Sequence, residues 1–174
     1  MTGTDIGLLL LRLGVAALLS GHATQKLFGW FRGGGPAAAG ALFETWGFRP
    51  GPALAVLAGV CELAGAASVA TGLLTAGGCA VLIGTMIVAA SPAAANGLWA
   101  HLGGNEVPVV YAFLAAVLAV TGPGRYSLDH LFGLPTPPGA GWSLTALAAG
   151  VAGAVPMLLR RRAALRPHDE EVSP

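Results

Sequence analysis

Five apolar runs, joined by short connections rich in glycine and proline, constrain this chain more than any other feature. They cover about Ile6–Thr24, Pro52–Leu74, Gly78–Ala90, Val107–Thr121 and Leu144–Leu159. Only 10% of the 174 residues are charged, against roughly a quarter in an ordinary soluble domain. Residues 1–159 hold ten charged side chains, and the last fifteen residues hold seven more. Runs this apolar are read as membrane-spanning helices. The expected fold is all-α: a polytopic membrane protein with a four-helix transmembrane core and an additional C-terminal fifth helix. The core takes residues 1–133, a linker and the fifth helix take 134–159, and residues 160–174 form a charged tail expected to be disordered.

The third and fourth runs are short for a hydrocarbon core about 30 Å thick, which needs around 20 residues. The fifth is rich in Ala and Gly, with Pro156 near its end. Gly33–Pro36 breaks the chain after the first run. A short amphipathic stretch, Ala37–Trp46, is then expected at the membrane interface with Phe43, Trp46 and Phe48 as aromatic anchors. Asn105 is expected to cap the fourth run and Ser127 a short helix over Leu128–Phe132, ahead of a rigid Pro135–Pro138 linker. The first run lacks a basic region before it, so it is expected to stay as a membrane helix rather than be cleaved.

Counting Lys and Arg in the connections sets an orientation. With five spans, the first and third loops and the tail share a side that carries seven basic residues, against Arg125 alone on the other. The tail is therefore expected in the cytoplasm.

Cys61 and Cys79 fall on consecutive runs joined by a tight turn. Reflected through that turn they differ in depth by roughly 16 Å, beyond disulfide reach. Both are read as packing residues.

Glu62 is the most informative polar residue. It lies inside the second run, with Ala58, Gly59, Gly65 and Ala66 as its helical neighbours. An ionisable group at that depth normally has a partner or a role, and small neighbours leave room for another helix or a ligand. Arg12, on one stripe of the first run with Leu19, His22 and Lys26, is the expected counter-charge. Such a pair either fixes helix register or serves a ligand or proton. His22, Gln25 and Lys26 end the first run on the membrane face that also carries Asn96, His101, Asn105 and Glu106. Together they are expected to form a polar mouth above Glu62. No metal-ligand spacing is evident, and no phosphate-cradling loop, nucleophile elbow or nucleic-acid patch occurs.

Several pieces in order resemble the DoxX family of small bacterial membrane proteins. They are Leu11-Arg-Leu-Gly and Gly21-His-Ala-Thr-Gln-Lys-Leu-Phe-Gly29 in the first run, Glu62-Leu-Ala-Gly65 followed by Gly72-Leu-Leu-Thr, and Asn105-Glu106. The octet Gly122-Pro-Gly-Arg-Tyr-Ser-Leu-Asp129, with Arg125, Tyr126, Ser127 and Asp129, is similar to the family's closing signature. The resemblance implies a four-helix core in the bacterial cytoplasmic membrane, linked to quinone-coupled or thiol and oxidative-stress redox systems. The corresponding expectation is a membrane subunit, not catalytic alone, that binds a quinone headgroup through Arg12, His22, Gln25, Lys26, Glu62, His101, Asn105 and Glu106. No covalent cofactor is expected. Membrane lipid, a soluble redox enzyme and a second copy of the chain are the expected partners. A small-solute transporter, or a scaffold recruiting soluble enzymes, are the alternatives.

Overall fold

The computed structural model describes residues 2–134 and 140–166. The expected Pro135–Pro138 linker and the tail beyond residue 166 lie outside the described residues. Helix α1 runs over Gly3–Phe28, opened by a reciprocal Thr2–Asp5 capping box and ended by Gly29 in the left-handed region. Helix α2 (Gly35–Thr45) carries Pro36 in its first turn, where a missing N–H costs nothing. Helix α3 (Gly51–Thr71) ends at Gly72, and α4 (Thr75–Ala90) follows after two residues. Two 3₁₀ turns, Ala94–Asn96 and Ala100–Leu102, lead into α5 (Glu106–Thr121). The one-turn helix α6 (Leu128–Leu131) is capped by Ser127 Oγ, which accepts from His130 N at 3.2 Å. Helix α7 spans Ala140–Ala164.

Helices α1, α3 and α7 are long and apolar enough to cross a bilayer, whereas α4 and α5 have 16 residues each. At 1.5 Å per residue the short pair reaches about 24 Å, less than a full hydrocarbon core. The most apolar windows of the three long helices bury only 28%, 33% and 22% of their residues inside the protein. Leu10, Leu18, Phe113 and Val120 are among the large side chains left outward. An apolar exterior on this scale suits lipid, not water, and the protein is an all-α polytopic membrane protein.

Helix α1 packs along α3, α3 against α4, and α4 against both α5 and α7. The core joins Val15, Ala16 and Leu19 of α1, Ala66 and Val69 of α3, Cys79, Leu82, Ile83 and Met86 of α4, and Ala115 and Leu118 of α5. Both cysteines are free, and Cys79 is fully buried in this core.

Helix α7 is an integral wall rather than an appendage. It meets α4 backbone to backbone: a Cβ on Gly84 would stand 2.8 Å from Gly150 O, and one on Gly150 2.8 Å from Ala80 O. It also continues five residues past the expected end at Leu159, so Arg160–Ala164 are helical. Arg161 anchors that end. Its Nε donates to Trp46 O at 2.8 Å, and its guanidinium lies 5.7 Å from the Phe48 ring centroid. The end of α7 therefore shares a face with the α2–α3 connection, as a five-span path requires. Phe48, expected as an interface anchor, is buried beneath this contact.

Candidate functional site

The small residues around Glu62 do set helix approach, but they serve three different neighbours. Gly59 faces α1, where an added Cβ would come 2.7 Å from Leu27 and 3.3 Å from Ala23 O. Gly65 faces α4, with Leu82 at 2.6 Å and Gly78 O at 3.3 Å from the same construction. Ala66 joins the core, and only Ala58 borders open space. The notch is thus mostly filled by helices, which brings α1 close enough to supply a counter-charge.

That counter-charge is Lys26, not Arg12. Lys26 Nζ lies 2.8 Å and 3.0 Å from the two Glu62 carboxylate oxygens and donates a further bond to His22 O at 3.2 Å. The Glu62 side chain is 4% exposed and that of Lys26 22%. Register explains the correction. Helix α1 extends past Thr24 to Phe28, and the α2 detour sets α3 so that Leu27 meets Gly59 while Arg12 meets Gly72. Arg12 therefore sits ten residues, about 15 Å along α3, from the level of Glu62. Burying a charge pair costs several kcal/mol per ion in order of magnitude unless geometry and hydrogen bonds offset it. A single ammonium between both carboxylate oxygens meets that condition.

The pair lies on the wall of a cavity of about 680 Å³ bounded by α1, α2, α3, α4, α5 and α7. His22, Gln25 and Lys26 come from α1, Cys61 and Glu62 from α3, Thr85 from α4 and Tyr111 from α5. The rest is apolar: Leu42 and Phe43 of α2, Trp46 just after it, Leu54 and Leu57 of α3, Val81 and Val88 of α4, and Met157 of α7. His22 and Tyr111 meet edge to face, with ring centroids 5.8 Å apart. Helix α2, expected at the membrane interface, forms a side of this cavity. Lys26 uses two of the carboxylate's roughly four acceptor positions, so Glu62 retains capacity toward the cavity. The arrangement is a mostly apolar chamber with one hydrogen-bonding corner, the composition of small-molecule sites.

Of the eight residues expected to bind a ligand, His22, Gln25, Lys26 and Glu62 line the cavity. His101, Asn105 and Glu106 do not, because their connection is hydrogen-bonded to itself. Glu106 Oε2 accepts from Ala100 N at 2.9 Å, Asn105 N donates to Gly97 O at 3.1 Å, and Asn96 Nδ2 donates to Gly103 O at 3.1 Å. His101 is exposed. Asn105 holds the cap position of α5, but its side chain makes no capping bond. Tyr111 escaped the sequence reading although a signal was present. It is the one polar side chain between Glu106 and Thr121, one turn beyond the cavity-lining Val107 and Pro108. Among the described residues, no three His, Cys, Asp or Glu side chains gather as a metal ion would need.

Arg12 belongs instead to a clasp at the opposite end of the bundle. Its Nη2 donates to Tyr126 O. Asp129 Oδ1 accepts from Leu74 N at 2.7 Å, and Oδ2 accepts from Thr75 N at 3.0 Å and Thr75 Oγ1 at 2.8 Å. Asp129 N in turn donates to Gly72 O at 2.8 Å. Asp5 Oδ1 accepts from Arg125 N at 3.3 Å. The octet Gly122–Asp129 thus ties the start of α1 to the α3–α4 turn. Its work is structural closure, distant from the cavity.

A helical bundle with an apolar exterior, a buried ion pair and a mostly apolar chamber defines the class: a polytopic integral membrane protein. Its sequence matches the DoxX family model over residues 7–102, and the chain belongs to the DoxX family. The match takes in α1 to α4 and ends before the octet, α5 and α7. No curated protein and no solved structure matches the chain.

Proposed function

We propose that the cavity binds the headgroup of a quinone, and that the protein is a membrane subunit of a quinone-linked or thiol-redox system in the bacterial cytoplasmic membrane. The observation that supports this most is the buried Lys26–Glu62 pair on the wall of an otherwise apolar 680 Å³ chamber. A quinone carries carbonyl oxygens on an apolar ring, and it supplies two-electron, two-proton chemistry when bound. Gln25, His22 and Tyr111 offer N–H and O–H donors for those oxygens, and Glu62, held by Lys26, offers an acceptor for a hydroxyl. The apolar walls on α2, α3 and α7 suit the ring face and the start of an isoprenoid tail. The electrons come from a soluble enzyme partner docking on the cytoplasmic side, where we place the tail by the basic-residue count.

Titration of the purified protein with a short-chain ubiquinone analogue, read by isothermal calorimetry, tests the reading. Loss of one hydrogen bond at about 1.4 kcal/mol corresponds to about a tenfold weaker Kd. That loss is expected for His22→Ala and Tyr111→Phe, with Glu62→Ala losing more. Unchanged affinity in both Glu62→Ala and His22→Ala would sink the site. Solute flux in proteoliposomes that disappears in Glu62→Gln would assign transport instead.

A further inference from the structure

A second, smaller pocket of about 270 Å³ opens where the end of α7 meets the α2–α3 connection. Arg49, Arg160 and Arg161 line it together with Phe48, Leu54 and Met157, and among the described residues no carboxylate does. The apolar part of α7 from Leu144 to Leu159 measures about 24 Å, so the arginines that follow emerge near the edge of a roughly 30 Å hydrocarbon core. That is the depth of lipid headgroups.

Arg161 is held in place by Trp46 O and the Phe48 ring, which engage Nε and the guanidinium face. Its four remaining N–H donors have no partner among the described residues. Arg49 and Arg160 are exposed and form no ion pair with the described carboxylates. Three guanidiniums around one concavity suit a phosphate, which guanidinium donors grip bidentately. The floor, by contrast, is apolar, and a free ion would gain nothing from Leu54 and Met157. The volume lies under the roughly 300–1,000 Å³ of pockets that enclose a drug-sized ligand. It suits a headgroup whose chains stay outside.

We infer that Arg49, Arg160 and Arg161 bind the phosphate of an anionic phospholipid, with its acyl chains left in the bilayer beside α7. Because Phe48, Leu54 and Met157 also line the large cavity, the bound lipid braces the partition between the two. The inference stands apart from the quinone reading, since it uses neither Lys26 nor Glu62.

The full chain in neutral detergent is equilibrated with mixed micelles of phosphatidylcholine and phosphatidylglycerol, and the retained lipid is measured by mass spectrometry. The wild type is expected to prefer phosphatidylglycerol by about tenfold or more, as two or three basic contacts allow. Arg49→Gln/Arg160→Gln, which spares the Arg161 anchor, is expected to lose that preference. Arg32→Gln/Arg125→Gln removes the same charge from exposed positions elsewhere and is expected to keep it. Equal preference in the first variant, or equal loss in the second, overturns the site. Displacement of the lipid by excess inorganic phosphate assigns the pocket to a free anion and overturns the lipid. Quinone binding is expected to survive in the Arg49→Gln/Arg160→Gln variant, so the two readings fail separately.

Discussion

Replacing Asp129 with alanine removes the acceptor that joins the octet to the α3–α4 turn. Three donors lose their partner at once: Leu74 N at 2.7 Å, Thr75 N at 3.0 Å and Thr75 Oγ1 at 2.8 Å. Asp129 is 3% exposed and Thr75 2%, so water replaces those bonds poorly. A hydrogen bond to a charged group contributes about 1.5–3 kcal/mol net, and simple addition over three bonds gives roughly 4.5–9 kcal/mol. The bonds share one acceptor and two adjacent residues, so their losses do not add in full. Buried Arg12 also loses its nearby negative charge, while its Nε and Nη1 already lack a partner among the described groups. The expected destabilisation is therefore about 3–5 kcal/mol, the range for breaking a buried charged contact. Reversible unfolding by SDS in mixed micelles measures it. Asp129→Asn keeps an acceptor oxygen and is expected to lose about half as much. An Asp129→Ala variant within 1 kcal/mol of the wild type, on the order of one ordinary hydrogen bond, would refute the clasp as the closure of this bundle end.

Two further outcomes follow from the same geometry. Gly72 has φ +64°, and a Cβ there would strike Arg12 Nη1 and Ser127, so Gly72→Ala is expected to lose about 2–4 kcal/mol in the same unfolding assay, more than the 1–2 kcal/mol of the left-handed backbone alone. Cys61 lines the large cavity while Cys79 is fully buried. A maleimide is accordingly expected to label Cys61 and spare Cys79, and a bound quinone analogue to slow the reaction severalfold. Equal labelling rates with and without the quinone would separate Cys61 from the binding site.

The apolar runs carried the fold, because a chain with so few charges has to satisfy its backbone inside lipid by forming helices. Each run became a helix, and the Ser127 cap was legible in the same way. Local rules of this kind act within a few residues and need no partner. Glu62 was also legible as a candidate site, since a carboxylate in an apolar helix is an anomaly wherever it packs. Its partner was not. Arg12 and Lys26 both lie on the inward stripe of α1, and choosing between them required the register of α1 on α3. That register depends on where α2 places the start of α3 and on Leu27 fitting over Gly59.

The same limit separates the mouth residues from the cavity. Topology brings His101, Asn105 and Glu106 to one end of the bundle, but their hydrogen bonds close the connection on itself. The α7 wall was hidden for a related reason. An Ala/Gly-rich run has little side chain to advertise a contact, yet small residues are what allow Gly84 and Gly150 to bring two backbones together. Hydropathy and charge by themselves determined that this protein is a helical membrane bundle with a buried carboxylate. Only tertiary packing decided that Lys26 holds that carboxylate, that Arg12 serves the distant clasp, and that α7 closes the chamber, because helix register and backbone approach are set by contacts between residues far apart in the chain.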